Sequence, residues 1–289
     1  MKEIINKSKE KEVEEFAGVS ETYFANFWKM IKYNISFTLS NLPVFILIFF
    51  LGNWLFSAVI PSNMVANQNL ANEITSSDSL DPYAYEIISR VLFLAIFLIG
   101  NLFICITPVQ VALSSTYRKH FARKHVFYLH DTLKIIKNNW KPTILHQLLQ
   151  IICFFIFPLS INAYNHLNLN PIINSVLFSL IGIFFIFIIM MQPYVYQMIT
   201  LFDLKLSSIF KNALILVILQ LPKNLIAFLL SNIVLFLIPF AMYIMLPKYA
   251  LQVSLIYILL FAFTIKDLIV SRNALVHIYS YLVNGQSKD

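Results

Sequence analysis

Histidine and cysteine are the residue types in this sequence best suited to metal binding or nucleophilic chemistry. His120, His125 and His130 recur every five residues, whereas metal pairs on a helix use spacings of three or four, so we expect these histidines to be solvated. Cys105 and Cys153 each lie within an apolar run. Two thiols are too few for a disulfide scaffold or a cysteine-based zinc site, and we expect both to be inert core residues without a metal.

Sequence motifs of enzymes are missing from the chain. There is no Gly-rich Walker loop, no HExxH and no GxSxG, and the chain has only 5 glycines. No Asp or Glu falls near the middle of any predicted span, which argues against glycosidase chemistry and against a proton-driven transporter. We therefore predict that the protein is not an enzyme and binds no cofactor.

Uncharged polar side chains within the apolar segments could bind neutral hydroxyl groups, such as those of a sugar. Hydrogen bonding between helices is their commoner role. These residues are Asn53, Asn101, Gln110, His146, Gln147, Gln150, Gln192, Gln220 and Asn232. We expect Asn53, Trp54 and Tyr164 at the outer membrane interface, either as a ligand-binding set or as ordinary interfacial residues.

The amino-acid composition indicates which class of protein carries these side chains. The chain has 289 residues, of which 59% are hydrophobic and 12% charged, and its mean hydropathy is +0.74. Soluble domains contain about 25% charged residues, and disordered chains are poor in apolar residues. Both classes are therefore excluded. We predict an all-α polytopic transmembrane bundle with interfacial amphipathic helices.

Six apolar segments are long enough to cross a membrane as helices. We predict spans at about Ile35–Ile60, Val91–Ser114, Ile144–Ala163, Ile172–Met191, Asn224–Leu246 and Tyr249–Thr264. Pro222 interrupts the apolar stretch before the fifth span. The piece from Ala213 to Leu221 is then either a half-helix at the membrane edge or a kinked extension.

The basic residues predict the orientation. All of the 21 lysines and arginines except Arg90 and Lys248 fall on the same side as the N-terminus, so we expect both termini to be cytoplasmic in a bacterial cell membrane. This placement explains the net charge of +7 without a nucleic-acid partner. The predicted organisation is a charged segment at 1–20, a membrane domain at 21–282 and a tail at 283–289. The membrane domain includes an outer loop at 61–86 and a basic cytoplasmic loop at 117–142.

The basic loop has an amphipathic pattern. An apolar helical face is predicted from residues spaced by three and four: Ala122, Val126, Leu129, Leu133, Ile136 and Trp140. Its cations suit anionic headgroups, or a cytoplasmic partner protein. The candidate contact residues are Arg118, Arg123, Lys124, Lys134 and Lys137, together with Asp203, Lys205 and Lys211 of a second cytoplasmic loop.

Segments of the sequence that lead into these spans are weakly similar to one another, and this similarity is termed the echo below. A basic residue and Asn precede a Leu-Pro step twice, in Lys32–Pro43 and in Lys211–Pro222, and a partial third copy begins at Lys134. The echo is either a parallel repeat, as in some transporters, or a chance recurrence.

These segments resemble the YesL-like family of bacterial membrane proteins. The resemblance runs over roughly residues 21 to 240 and is carried by Phe27-Trp28, Asn41-Leu42-Pro43, Lys137-Asn138-Asn139-Trp140-Lys141, Phe202-Asp203-Leu204 and Lys211-Asn212-Ala213-Leu214. It implies a Gram-positive source and an accessory role in oligosaccharide uptake, with ABC importer permease or ATPase subunits as partners. The first span departs from the family by lacking small residues after Pro43.

Three functions therefore remain open. The first is assistance to a carbohydrate ABC importer, the second a membrane scaffold or immunity-type protein without a transported ligand, and the third an independent carrier or channel.

Overall fold

The computed structural model describes residues 16–46, 105–166, 170–246 and 248–283, and all regular structure in these ranges is helical. The α-helices are α1 (Val19–Ala25), α2 (Phe27–Ser40), α3 (Thr107–Phe121), α4 (Tyr128–Asn138), α5 (Trp140–His166), α6 (Pro171–Leu201), α7 (Leu206–Leu219), α8 (Leu221–Asn232), α9 (Ile238–Met245), α10 (Ala250–Tyr257) and α11 (Phe263–Ile278). Single π-helical turns, Ile233–Leu237, Ile258–Ala262 and Tyr279–Val283, connect or extend the last four helices.

Within the described residues, three helical stretches are long and apolar enough to cross a membrane. They are Ile172–Leu201, Leu221–Met242 and Gln252–Leu282, with 30, 22 and 31 residues. About 20 residues suffice for a hydrocarbon core. Large apolar side chains on these helices face outward, and Phe184 is 61% exposed. The described part of the chain is therefore all-helical, and its long apolar helices are those of a membrane protein. In addition, α5 covers the predicted third span as a single helix of 27 residues.

The predicted sixth span is too short. We expected it to end at about Thr264, but the helical stretch continues from Gln252 to Leu282. Asp267 consequently lies near the middle of this candidate membrane helix, three residues beyond the predicted end of the span. The charge is tolerated because Lys266 pairs with it, Nζ lying 3.1 Å from Oδ1.

The predicted second span includes two non-helical residues, Cys105 and Ile106, which are termed the break below. Helix α3 begins directly after them, at Thr107, with Pro108 in its first turn. Side chains from two other segments bind the backbone at the break. The N–H of Ile106 donates to Asn41 Oδ1, and the N–H of Thr107 donates to Gln147 Oε1, both at 2.7 Å. These bonds satisfy amides that a helix start leaves without a helical acceptor.

One-residue breaks separate consecutive helices at Asn26, Asn41, Asn139 and Gln220 in the described ranges, and the last three are termed elbows below. Their φ/ψ values are −88°/2°, −117°/22° and −115°/33°. A proline follows each elbow within three residues: Pro43, Pro142 and Pro222. The predicted interruption before the fifth span is thus confirmed, and it separates α7 from α8.

The elbows also share a hydrogen-bond pattern. Each elbow residue donates its N–H to the carbonyl four residues before it, at 2.9 Å for Asn41, 3.0 Å for Asn139 and 3.1 Å for Gln220. Each accepts the N–H of the residue four positions after it, at 3.0, 3.2 and 2.9 Å in the same order. The chain therefore turns without leaving these backbone groups unpaired, and the predicted echo has a common local structure.

The basic loop is not one continuous helix. α3 extends to Phe121, and Arg123 then adopts a positive φ of 53° before α4 begins at Tyr128. The predicted apolar face is therefore wrong for Ala122 and Val126, which precede α4. Leu129 and Leu133 do lie on α4, where they are 73% and 67% exposed.

His120 is a second correction in this region. We expected solvated histidines, and His125 and His130 are exposed, but His120 is buried at the end of α3. Its Nε2 lies 3.0 Å from the Tyr33 hydroxyl of α2. The partner is 87 residues away in the chain, so local sequence spacing carried no sign of this contact.

Candidate functional site

A polar cavity lies between α3, α6, α8 and α11. About 60 Å³ of it can be reached by the centre of a water-sized molecule, and it is partly open to its surroundings. Its polar lining includes Gln110, Ser114, Gln192, Asn224, Asp267 and Asn273. Its apolar walls include aromatic rings such as Phe37 and Phe228. Such a mixture of convergent polar groups and apolar walls is typical of small-molecule sites.

The charged side chains that line the cavity, Lys266 and Asp267, have opposite charges and pair with each other. Asp267 is 2% exposed, and its Oδ1 lies 3.1 Å from Lys266 Nζ. Its Oδ2 accepts a 2.7 Å hydrogen bond from Gln110 Nε2. Because the carboxylate is paired on both oxygens, the site offers no unbalanced charge for an ionic ligand.

Two buried polar atoms of α3 belong to residues that line the cavity and have no partner within the described part of the chain. They are Gln110 Oε1 and Ser114 Oγ, and both residues line the cavity one helical turn apart. Gln110 is 4% exposed and Ser114 is fully buried. An unsatisfied buried polar group costs roughly 1–3 kcal/mol, so these two atoms favour a ligand or water that bonds to them.

A second set of polar groups surrounds Tyr194 on α6. Its hydroxyl lies 2.6 Å from Asn224 Oδ1 and 2.6 Å from His277 Nδ1. Asn273 Nδ2 donates to the same Asn224 oxygen at 2.7 Å. Asn224 also donates to the carbonyls of Leu216 and Val217 at 3.3 and 3.2 Å. One side chain therefore joins the cavity to the third elbow.

A third set surrounds Tyr196, also on α6. Its hydroxyl lies 3.3 Å from Cys105 Sγ, accepts from Gln150 Nε2 at 2.7 Å and donates to Gln192 Oε1 at 3.3 Å. Gln150 Oε1 accepts from Thr107 Oγ1 at 2.9 Å. The break at Cys105–Ile106 is thereby tied to both α5 and α6 beside the cavity.

Pro193 adds a backbone acceptor to the same wall. It lies inside α6, where proline supplies no N–H to the carbonyl of Ile189. Both residues line the cavity. The chemistry available here is hydrogen bonding by amides, hydroxyls and a carbonyl. Among the described residues, no group of three His, Cys, Asp or Glu side chains could hold a metal ion.

The predicted outer ligand set cannot be joined to this cavity. Asn53 and Trp54 lie outside the described residues, as does the loop 61–86. Tyr164 belongs to the last turns of α5, and its backbone alone is described.

The predicted cytoplasmic contact residues divide into two groups. Arg118 is held inside the bundle, where its guanidinium donates to Thr200 Oγ1 at 3.0 Å and to Ser115 Oγ at 3.2 Å. Arg123 is exposed and pairs with Glu21 of α1 at 2.7 Å. The others are exposed: Lys124, Lys134, Lys137, Asp203, Lys205 and Lys211.

α4 is attached to the bundle mainly at its first turn. Lys119 Nζ lies 2.7 Å from Asp131 Oδ2, and this hydrogen bond lowers the pKa of the Asp131 carboxyl. Tyr128 donates to Ser36 Oγ at 2.5 Å, and its ring packs 4.6 Å from that of Tyr33. No residue of α4 is fully buried, which leaves Lys134 and Lys137 on an open surface.

Sequence reasoning singled out Gln110, Gln150 and Gln192 and placed Asp267 just beyond the sixth span, but it missed Asn273. The missed signal was a pair of polar steps of four residues, Asp267–Ser271 and Asn273–His277, within one apolar helix. Such steps place polar groups on neighbouring turns of the same face. No protein-family model, curated protein or solved structure matches this chain.

Proposed function

We propose that the protein is a six-span bacterial cell-membrane protein, with both termini cytoplasmic, that binds a small neutral hydroxylated molecule in the polar cavity and assists carbohydrate import. The observation that carries the proposal is the pair of unpartnered atoms, Gln110 Oε1 and Ser114 Oγ, beside a charge-neutral Lys266–Asp267 pair. Amides and hydroxyls suit the hydroxyl groups of a saccharide, whereas an anion would need a net positive site.

The two non-helical residues before α3 support a role in solute handling. Transporters build binding sites from discontinuous helices whose irregular backbone lines a cavity. Cys105 lies in the break before α3 and lines this cavity. In the proposed six-span arrangement, each of the three elbows is followed by a pair of spans.

A protein that assists an importer also needs a surface that contacts the importer. Lys134 and Lys137 are exposed on α4, and Asp203, Lys205 and Lys211 are exposed around the start of α7. With the proposed orientation these groups face the cytoplasm, where a permease loop or an ATPase subunit of an ABC importer would meet them. The YesL-like resemblance supports the same assignment.

Binding to a panel of saccharides tests the ligand part. The full chain is placed in lipid nanodiscs and mixed with radiolabelled methyl β-glucoside, maltose and glucose 6-phosphate. We expect at least one neutral compound to bind and the phosphorylated sugar to bind at least tenfold more weakly. Preference for the phosphorylated sugar, or no binding by any neutral saccharide, would contradict the proposal.

Co-purification tests the partner part. The tagged chain is isolated from its native membrane in mild detergent, beside a variant with Lys134→Gln and Lys137→Gln. We expect importer subunits to accompany the original chain and to be depleted at least threefold with the variant.

A membrane scaffold is the second candidate, favoured by the exposed apolar side chains of α4. It would retain partners other than importer subunits and bind no saccharide.

A further inference from the structure

A second space lies beside the polar cavity, in a groove between α5 and α6. About 240 Å³ of it can be reached by the centre of a water-sized molecule, and it is open to its surroundings. Most of its wall is apolar and comes from Leu149, Cys153, Ile188 and Met191, with Phe210 of α7. Leu149 is 39% exposed and forms part of the rim. The groove therefore opens on the side of the bundle, at helices that the sequence predicts to face lipid.

The groove and the polar cavity meet at one residue. Gln192 lines both spaces. Its Oε1 accepts from the Tyr196 hydroxyl at 3.3 Å, while its Nε2 is buried without a partner within the described part of the chain. Gln150 also lines the groove and bonds to the same hydroxyl at 2.7 Å. The apolar groove is therefore bordered by a donor that has no partner among the described residues and can bond to a ligand oxygen.

We propose that the ligand is an amphiphile: a neutral hydroxylated headgroup in the polar cavity, joined through an oxygen near Gln192 to a single alkyl chain in the groove. This inference rests on the proposed function and narrows its ligand class to neutral glycolipid-like molecules. The apolar wall accepts a chain, and the paired Asp267 and unpartnered Gln110 accept hydroxyls. Entry from the bilayer side spares the alkyl chain any exposure to water.

The test compares two glucosides that differ only in their alkyl group. The full chain in nanodiscs is loaded with radiolabelled methyl β-glucoside, which is then displaced with octyl β-glucoside below its micellar concentration. Partitioning into lipid raises the local concentration of octyl β-glucoside for any membrane protein. The diagnostic is therefore a groove variant, Leu149→Trp, which places an indole at the rim. Leu145→Trp, one turn earlier on α5 at a residue that is 50% exposed and outside the groove, is the matched control.

We expect octyl β-glucoside to bind at least tenfold more tightly than methyl β-glucoside. Leu149→Trp should remove most of that advantage and leave methyl β-glucoside binding unchanged, while Leu145→Trp should keep the full advantage. If methyl β-glucoside binds and the octyl compound is no tighter, or if its advantage survives in Leu149→Trp, this inference is overturned and the proposed function stands. If neither glucoside binds, both fail.

Discussion

Helices α2 and α4 precede equivalent elbows, yet they are attached to the bundle in opposite ways. α2 inserts Asn34, which is fully buried, against the π-helical turn Ile258–Ala262. The Asn34 amide donates to the carbonyls of Ile258 and Leu259 at 2.8 and 2.6 Å and accepts the N–H of Thr264 at 2.8 Å. α4 buries no residue and is attached mainly by the Lys119–Asp131 ion pair and the Tyr128–Ser36 hydrogen bond.

The helix that precedes an elbow therefore serves a different purpose in each of these two regions. α2 supplies the Asn34 amide, which bonds to backbone groups at the π-helical turn Ile258–Ala262. These backbone groups need such a partner because a π-helical turn departs from regular α-helical hydrogen bonding. In α4 the helix before the elbow presents apolar and basic side chains outward. Stability should therefore depend on α2, and contact with the membrane surface or a partner on α4.

The largest expected effect comes from Asn34→Leu. Removing the amide leaves two carbonyls and one N–H unpaired in a buried place, and each such group costs roughly 1–3 kcal/mol, so the loss should be about 3 kcal/mol or more. Asn138→Leu, at an exposed residue of α4, should change the free energy of unfolding by no more than about 0.5 kcal/mol. Unfolding by SDS in mixed micelles measures both. Equal effects would remove the distinction between the two helices.

The elbow residues themselves should differ next. Asn41→Ala removes the acceptor that binds the N–H of Ile106 at 2.7 Å, and the expected cost is about 1–3 kcal/mol because that amide lies beside the break in the second span. Asn139→Ala removes the side-chain donor to the Ile135 carbonyl at 3.1 Å, on the less buried elbow, and should cost about 1 kcal/mol or less. The same unfolding assay ranks them. The reverse order would contradict the roles assigned here.

Loss of the ion pair should loosen α4 without unfolding the bundle. Asp131→Asn should cost about 1 kcal/mol or less, the scale of a partly exposed pair. Amide hydrogen exchange should increase in α4 and stay unchanged in α11. Because the Lys119 hydrogen bond lowers the pKa of Asp131, its stabilising contribution is present at neutral pH and is lost only as the pH falls below the usual carboxyl range. Global exchange in Asp131→Asn would show that α4 is part of the stable core.

The smallest effect concerns pH and the contact between α2 and α3. Burial lowers the pKa of His120 to about 4. The unfolded chain then binds more protons than the folded chain between about pH 6.5 and 4, so stability should fall as the pH drops through that window. His120→Gln keeps a hydrogen-bonding group but does not titrate there. Thermal unfolding at pH 7 and pH 5 should show a larger loss for the original chain, and an equal loss would mean that His120 is already protonated in the fold.

The helical class and the break at Gln220 could be predicted from the sequence. Both depend on local properties, namely apolar content over about 20 residues and the missing N–H of Pro222. The exposure of Leu129 and Leu133 was likewise compatible with their spacing on a basic helix.

The cavity could not be predicted in this way, because its chemistry depends on distant partners. Lys266 is adjacent to Asp267 in the sequence, but Gln110, which also bonds to Asp267, is 157 residues away and has no local sign of this contact. His120 needs Tyr33 for the same reason. The break at Cys105–Ile106 follows from acceptors on Asn41 and Gln147, which no local pattern places there.

The most direct test of the account compares saccharide binding by two variants in nanodiscs: Gln110→Leu in the cavity, and Lys134→Gln with Lys137→Gln on α4. The account predicts at least a tenfold loss of affinity for the neutral saccharide in Gln110→Leu and unchanged affinity in the α4 variant. Unchanged affinity in a folded Gln110→Leu protein would contradict the assignment of the polar cavity as the ligand site.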